Sequence, residues 1–76
     1  MTLDQLFEYL FDAELIYPDT GISIYIYDDP FDVACVAYGN YYQSQIQAYN
    51  RRYVVKFTLD INDNSLEVLV EGSLIV

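Results

Sequence analysis

The chain contains no histidine, no tryptophan and a single cysteine, Cys35. Structural zinc sites need several cysteine or histidine ligands at set spacings, so the sequence excludes them. One cysteine cannot close a disulfide within the chain, which suits the reducing conditions of the cytosol. We therefore expect no metal ion, no cofactor and a cytoplasmic location.

Basic residues are also scarce, since three Lys and Arg stand against twelve Asp and Glu and give a formal net charge of −9. Residues 1–50 contain eight of the acids and no base, whereas Arg51, Arg52 and Lys56 lie close together. Nucleic acids and anionic membranes are bound by clustered Lys and Arg side chains. We therefore expect neither nucleic acid nor a membrane as a direct partner.

Long apolar runs are missing as well. No stretch approaches the roughly 20 residues of a membrane-spanning helix, and the acidic first segment is unlike a signal peptide. The 76 residues suit one domain, and 54% of them are apolar, too many for a disordered acidic tail. The sequence predicts a single compact domain over residues 1–76.

The first segment has the pattern of an amphipathic helix. Residues 2–5, Thr-Leu-Asp-Gln, form a capping box. Apolar residues then recur at the helical period: Leu3, Leu6, Phe7, Leu10 and Phe11. Asp4, Glu8 and Asp12 stand one turn apart on the other side, which predicts an exposed row of three carboxylates, here called the acidic ridge.

The next segment predicts a turn and a strand. Residues 17–21 combine proline, aspartate and glycine in a turn signal. Isoleucines at 22, 24 and 26 then alternate with Ser23, Tyr25 and Tyr27, which is the period of a strand with one isoleucine face. Tyr25 and Tyr27 are expected on the opposite face.

Residues 30–49 are predicted to form a second helix. Asp29 would cap it, Pro30 would occupy its first turn and Asp32 would lie near the positive end of its dipole. A helical stripe follows: Phe31, Ala34, Cys35, Tyr38, Tyr42, Ile46 and Tyr49. On that stripe Cys35 would be a small buried hydrophobe. Residues 33–38 also have the composition of a buried strand, and Gly39 with Asn40 could end a shorter helix or turn a hairpin.

The last third of the chain predicts a β-hairpin. Two alternating segments, residues 53–61 and 66–71, flank a polar connection at 62–65. Residues 60–64 carry oxygen ligands at alternating positions, but they lack the glycine and closing glutamate of a calcium loop, which favours a hairpin turn. Gly72 and Ser73 are expected to bulge or turn the second strand before an apolar terminus that should be paired or buried.

The predicted order is helix, strand, helix, strand, strand. This order indicates an α+β fold in which a small antiparallel sheet carries two helices on one face. The other face would present tyrosine side chains.

Two kinds of side chain are candidates for contact with a partner protein. The acids are the acidic ridge and the densest group of carboxylates, Asp28, Asp29 and Asp32, here called the acidic cluster. Tyrosine is enriched at binding hot spots, and the candidates are Tyr25, Tyr27 and Tyr41. The alternatives are that the cluster only caps a helix, that the tyrosines fill a core without tryptophan, and that the charge serves solubility.

In size, in its Lys-poor acidic composition and in its acidic ridge and acidic cluster, the sequence resembles the small acidic inhibitors that bacteriophages encode. This class includes anti-CRISPR proteins and the uracil-DNA glycosylase inhibitor, and several members place carboxylates where DNA phosphates would lie. The resemblance concerns general character and no single motif. It implies a non-enzymatic inhibitor in the cytoplasm of the bacterial host, bound to the basic groove of a CRISPR effector subunit.

A second hypothesis is a structural or interaction subunit that forms a homodimer through Tyr25 and Tyr27. An enzymatic role is disfavoured, because only carboxylates and one thiol could serve and the sequence supplies neither with a catalytic partner.

Overall fold

A computed structural model describes residues 1–29 and 31–73. This part of the chain forms two helices and four strands: α1 (Leu3–Asp12), β1 (Gly21–Asp29), β2 (Asp32–Gly39), α2 (Ser44–Gln47), β3 (Val54–Asp60) and β4 (Ser65–Ser73). The strands make one sheet in the order β2-β1-β4-β3. β1 is antiparallel to β2 and parallel to β4, and β4 is antiparallel to β3.

The α+β class is confirmed, but two details of the predicted fold are wrong. The sheet is mixed rather than antiparallel, because β1 and β4 run side by side in the same direction. The order of elements contains an additional strand, β2, in place of most of the second helix.

α1 begins and ends with motifs that satisfy its backbone. Gln5 N donates to Thr2 Oγ1 (3.3 Å) and Thr2 N donates to Gln5 Oε1 (2.9 Å), which confirms the capping box. At the other end Glu14 N donates to Phe11 O and Leu15 N to Leu10 O, the two bonds of a Schellman motif. Glu14 takes the left-handed conformation of that motif, with φ at 59°. The apolar stripe is buried as predicted, except that Phe11 is half-buried.

One hydrophobic core lies against one face of the sheet. The isoleucines of β1 are buried there, as predicted, and α1 covers them. β4 contributes Leu66, Val68 and Val70, and Ile46 of α2 joins the same cluster, so both helices contribute to a single core. On the opposite face, here called the open face, the side chains of strand residues 21–72 are exposed or half-buried apart from Leu69.

The predicted helix over residues 30–49 is wrong. Residues 32–39 form β2, which pairs with β1 so that Ala37 lies opposite Ile24 and Ala34 opposite Ile26. Pairing with β1 satisfies the backbone groups of this segment that face β1, and the two alanines leave room on the core face. Of the residues that the structure describes in this segment, only Ser44–Gln47 is helical. Cys35 is exposed rather than buried, since it lies opposite Tyr25 on the open face.

The hairpin of β3 and β4 is confirmed. Asp60 Oδ1 accepts hydrogen bonds from Asn62 N (3.0 Å) and Asp63 N (3.1 Å), so this carboxylate organises the turn. The register of β4 against β1 shifts before Ser73, and Gly72 has a φ of 131°, in agreement with the predicted irregularity. The prediction for residues 74–76 lies outside the described residues.

Candidate interaction surfaces

The acidic ridge lies on the solvent-facing side of α1. Asp4, Glu8 and Asp12 are all exposed. Like charges one helical turn apart destabilise a helix by a few tenths of a kcal/mol per pair. Burial of a leucine or phenylalanine side chain contributes roughly 1.5–3 kcal/mol, so the apolar side of α1 outweighs this repulsion. The fold therefore holds the three carboxylates in place although they repel one another.

The acidic cluster lies at the connection between β1 and β2, and its three members differ. Asp28 and Asp32 are exposed, whereas Asp29 is half-buried. Asp29 Oδ1 accepts a hydrogen bond from Phe31 N (2.7 Å), and Asp29 lies opposite Asp32 in the register. The predicted role of Asp29 as a helix cap is therefore wrong, because this carboxylate shapes a hairpin turn instead.

The topology brings the acidic cluster and the start of the acidic ridge to the same end of the sheet. Near the end of β1, Tyr27 lies opposite Ser73, the last residue of β4. β3 begins where Val54 lies opposite Val70, also near that end. The start of α1 is tied to the residues before β3, because Leu3 N donates to Arg52 O (2.9 Å). β1 and β3 are separated by β4 alone, which corresponds to roughly 10 Å.

The three candidate tyrosines occupy two environments. Tyr25 and Tyr27 are half-buried on the open face, as the strand period predicted. Tyr41 is also half-buried, but its ring makes edge-to-face contacts with Phe7 (centroids 5.3 Å apart) and Phe11 (5.0 Å). The ring of Tyr41 therefore closes one side of the core, and of the three candidates Tyr25 and Tyr27 lie on the open face.

The open face contains a shallow depression of about 250 Å³. Its lining includes aromatic, aliphatic and charged side chains from all four strands: Tyr25, Val33, Lys56, Thr58, Glu67 and Leu69. Lys56 lies opposite Leu69, and Thr58 lies opposite Glu67, so the lysine and the glutamate occupy neighbouring positions. One acid and one base make the centre of this face nearly neutral, unlike the ridge and the cluster.

The structure also exposes large apolar side chains of the segment predicted to be helical, and two of them, Phe31 and Tyr38, belong to the apolar stripe of that predicted helix. Phe31 is 98% exposed at the connection between β1 and β2, and Val33 (48%) and Tyr38 (68%) follow it along β2. The signal that could have identified them is the composition of residues 33–38 together with the turn-forming residues 28–32. A run with those properties directly after a strand is typical of a hairpin.

The bases lie near the start of β3. The Arg52 guanidinium stacks on the Tyr49 ring (5.2 Å to the centroid) and donates to the backbone oxygen of Glu71 (3.1 Å). Lys56 is exposed on the open face and Arg51 is exposed beside Arg52. Arg52 is therefore engaged within the protein, by an aromatic ring and a carbonyl oxygen.

Within the described ranges, no group of three or more acidic or cysteine side chains is arranged to hold a metal ion. Neither α1 nor α2 has the length and apolar character needed to cross a membrane. Comparison of the chain with protein-family models, curated proteins and solved structures found no significant match.

Proposed function

We propose that this protein is a non-enzymatic inhibitor of the anti-CRISPR type, which binds a basic nucleic-acid-binding surface of a bacterial defence complex and blocks access to DNA. The observation that most supports the proposal is the placement of charge. Every acidic side chain is exposed except Asp29, which is half-buried. A negative field of this extent accelerates encounter with a basic groove, and aromatic side chains supply desolvated contact.

The binding surface in this proposal is the end of the sheet that carries the acidic cluster and the start of the acidic ridge. Carboxylates on two sides of this end, with Phe31 exposed between Asp29 and Asp32, offer both charge and apolar contact. Such a surface matches a groove that is lined by Lys and Arg and that normally accepts a phosphate backbone.

The direct test is DNA binding by a purified CRISPR effector complex with and without this protein. We expect a saturating concentration of the protein to weaken DNA binding about tenfold or more, because the two ligands compete for one groove. The control is bovine serum albumin at the same concentration. Unchanged DNA affinity in every effector type tested would contradict the anti-CRISPR proposal.

Charge reversal identifies which acidic side chains contribute to association with the partner. One variant carries Asp4→Lys, Glu8→Lys and Asp12→Lys, and a second carries Asp28→Lys and Asp32→Lys while it keeps Asp29 for the turn. We expect slower association and a weaker salt dependence in both, because electrostatic steering acts on the association rate. The matched control for the second variant, Asp19→Lys with Asp63→Lys, reverses two exposed charges in the turns at the opposite end of the sheet. Equal effects of the second variant and the control, with a larger effect of the first variant, would mean that only the total charge matters.

A structural or interaction subunit that forms a homodimer is a second candidate function, and the character of the open face is the observation that favours it. This face has half-buried tyrosines, a nearly neutral centre and a depression, and exposed apolar surface of this kind marks interaction sites. Two copies with a net charge of −9 would repel least where Lys56 and Glu67 offset each other. Sedimentation equilibrium should then show a dimer that Val33→Asp dissociates, while a monomer at all concentrations would contradict this function.

A further inference from the structure

The two edges of the sheet differ in how they are protected. The edge at β3 begins beside the N-terminal residues, since Val54 N donates to Met1 O (2.8 Å) and Thr2 forms a bridge with Tyr53. β3 also has an irregular register between Val54 and Lys56, and it carries that lysine. Paired backbone, bulges and lysine side chains all prevent an edge strand from accepting another strand.

The edge at β2 has less protection. Among the described residues β2 pairs with β1 alone, and its sequence contains neither lysine nor proline. Its last part is covered, because Gln45 Nε2 donates to Tyr38 O (3.2 Å). A register shift opposite Ile24 and Tyr25 separates this covered part from the first part of the strand. Register shifts therefore lie at both ends of residues 32–36, one at Val36 and one between the partners of Tyr27 and Asp29. Among the described residues, this stretch still lacks a paired outer backbone, lysine and proline.

The chemistry around residues 32–36 is apolar and acidic. Phe31 is 98% exposed directly before this segment and Val33 is 48% exposed within it. Asp28 and Asp32 are exposed at the same end, and no base occurs anywhere in residues 1–50. A strand that joins an edge gains affinity from main-chain hydrogen bonds and specificity from its side chains. The complementary strand would carry Lys or Arg side chains and an apolar pocket or side chain for Phe31.

We infer that the outer edge of β2 at residues 32–36 accepts an extended basic segment of the partner protein as a fifth strand, with Phe31 as the apolar anchor. This inference rests on the proposed function and specifies how the partner is held. A second copy of the chain is a poor occupant, because β1 and β2 contain no base to meet the partner's acids and each copy has a net charge of −9. Charge complementarity therefore selects a basic strand.

The test uses two peptides of equal charge and the ¹⁵N-labelled full chain. An eight-residue peptide that alternates lysine with valine can extend as a strand and pair through its backbone. A peptide that alternates lysine with proline has the same charge but lacks half of the backbone N–H donors. We expect the lysine-valine peptide alone to slow hydrogen exchange of the outward-facing amides of residues 32–36, about tenfold at saturation.

The anchor is tested by Phe31→Ser, with Phe57→Ser on β3 as the matched control. Phe57 is 44% exposed, so both substitutions remove an accessible ring. We expect Phe31→Ser to weaken binding of the lysine-valine peptide about tenfold, and Phe57→Ser to leave the dissociation constant within about twofold.

The remaining outcomes separate the two proposals. Slowed exchange at β3, or equal binding of both peptides through the acidic ridge, would overturn strand addition at β2 while binding of a basic partner stands. Failure of both peptides to bind at low salt would overturn the inference and also count against the proposed function. If the chain alone forms a dimer in which hydrogen exchange of the amides of residues 32–36 is slowed, the conclusion that a basic segment occupies this edge would be overturned.

Discussion

At the scale of single residues, Thr20 and Asn64 join two turns that are far apart in the sequence. The fully buried Thr20 hydroxyl accepts a hydrogen bond from Tyr17 N (2.8 Å) and donates to Asn64 Oδ1 (2.6 Å). Asn64 O also accepts from Gly21 N (3.0 Å). These bonds lie where Gly21 begins its pairing with Ser65, so they fix the start of the parallel register between β1 and β4.

Thr20→Val should lower the free energy of unfolding by about 1–3 kcal/mol, because it keeps the side-chain volume but leaves two polar partners without their bond. Urea denaturation followed by circular dichroism measures the change. Thr58→Val is the matched control, since Thr58 is exposed on the open face and should change stability by less than about 0.5 kcal/mol. Equal effects of the two substitutions would show that the Thr20 hydroxyl contributes nothing specific.

At the scale of elements, the connection from α1 to β1 and the connection from β1 to β2 each depend on one residue with an unusual conformation or hydrogen bond. Glu14 ends α1 in the left-handed region, where glycine is normally found. Asp29 closes the connection of β1 and β2 through its bond to Phe31 N. The first residue is in a strained conformation, and the second makes a stabilising bond.

Glu14→Gly should therefore stabilise the protein by about 1 kcal/mol, because it removes the left-handed strain of a residue with a Cβ atom. Glu14→Gln is the matched control, since it removes the same negative charge and keeps the strain. Thermal and urea unfolding of the two variants compare them directly. An equal gain in both would assign the effect to charge rather than to the backbone.

Asp29→Ala should lower the free energy of unfolding by about 0.5–1.5 kcal/mol, through loss of the hydrogen bond that orders the turn. Asp29→Asn keeps an acceptor oxygen and should restore most of this stability. Asp28→Ala, beside it and exposed, should change stability by less than about 0.5 kcal/mol. Urea denaturation of the three variants measures the differences, and a larger effect of Asp28→Ala would contradict the assigned role of Asp29.

At the scale of the whole molecule, the net charge of −9 acts against the compact state through self-repulsion. The repulsion is spread over exposed side chains on helix, turns and sheet, so it responds to salt. The core beneath α1 supplies the opposing stabilisation.

Added sodium chloride should therefore stabilise the fold. Between about 10 and 200 mM salt, screening shortens the range of repulsion, and we expect the urea midpoint of unfolding to rise. The variant Glu8→Gln with Asp12→Asn has a smaller net charge and should show a smaller rise. A midpoint that falls with salt would indicate that attractive pairs, rather than repulsion, dominate the surface.

Local patterns were sufficient where short-range physics determines the structure. The capping box at Thr2 and Gln5, the apolar stripe of α1 and the alternation in β1 and β4 all depend on neighbours within a few residues. The exposure of the acidic ridge follows from the same helical period. For these elements the sequence alone identified both the secondary structure and the side that faces solvent.

The tertiary structure decided the secondary structure of residues 31–49 and the parallel direction of β1 and β4 in the sheet. The spacing of Phe31, Ala34 and Cys35 suits a helix, whereas the composition of residues 33–38 suits a strand. Only the pairing of β2 with β1 selects the strand. The parallel neighbours β1 and β4 depend on contacts such as Thr20 with Asn64, which no local pattern contains. The sequence by itself therefore determined an acidic α+β protein with an exposed carboxylate ridge. Long-range backbone pairing decided that β2 lies at an edge, with Phe31 exposed beside it.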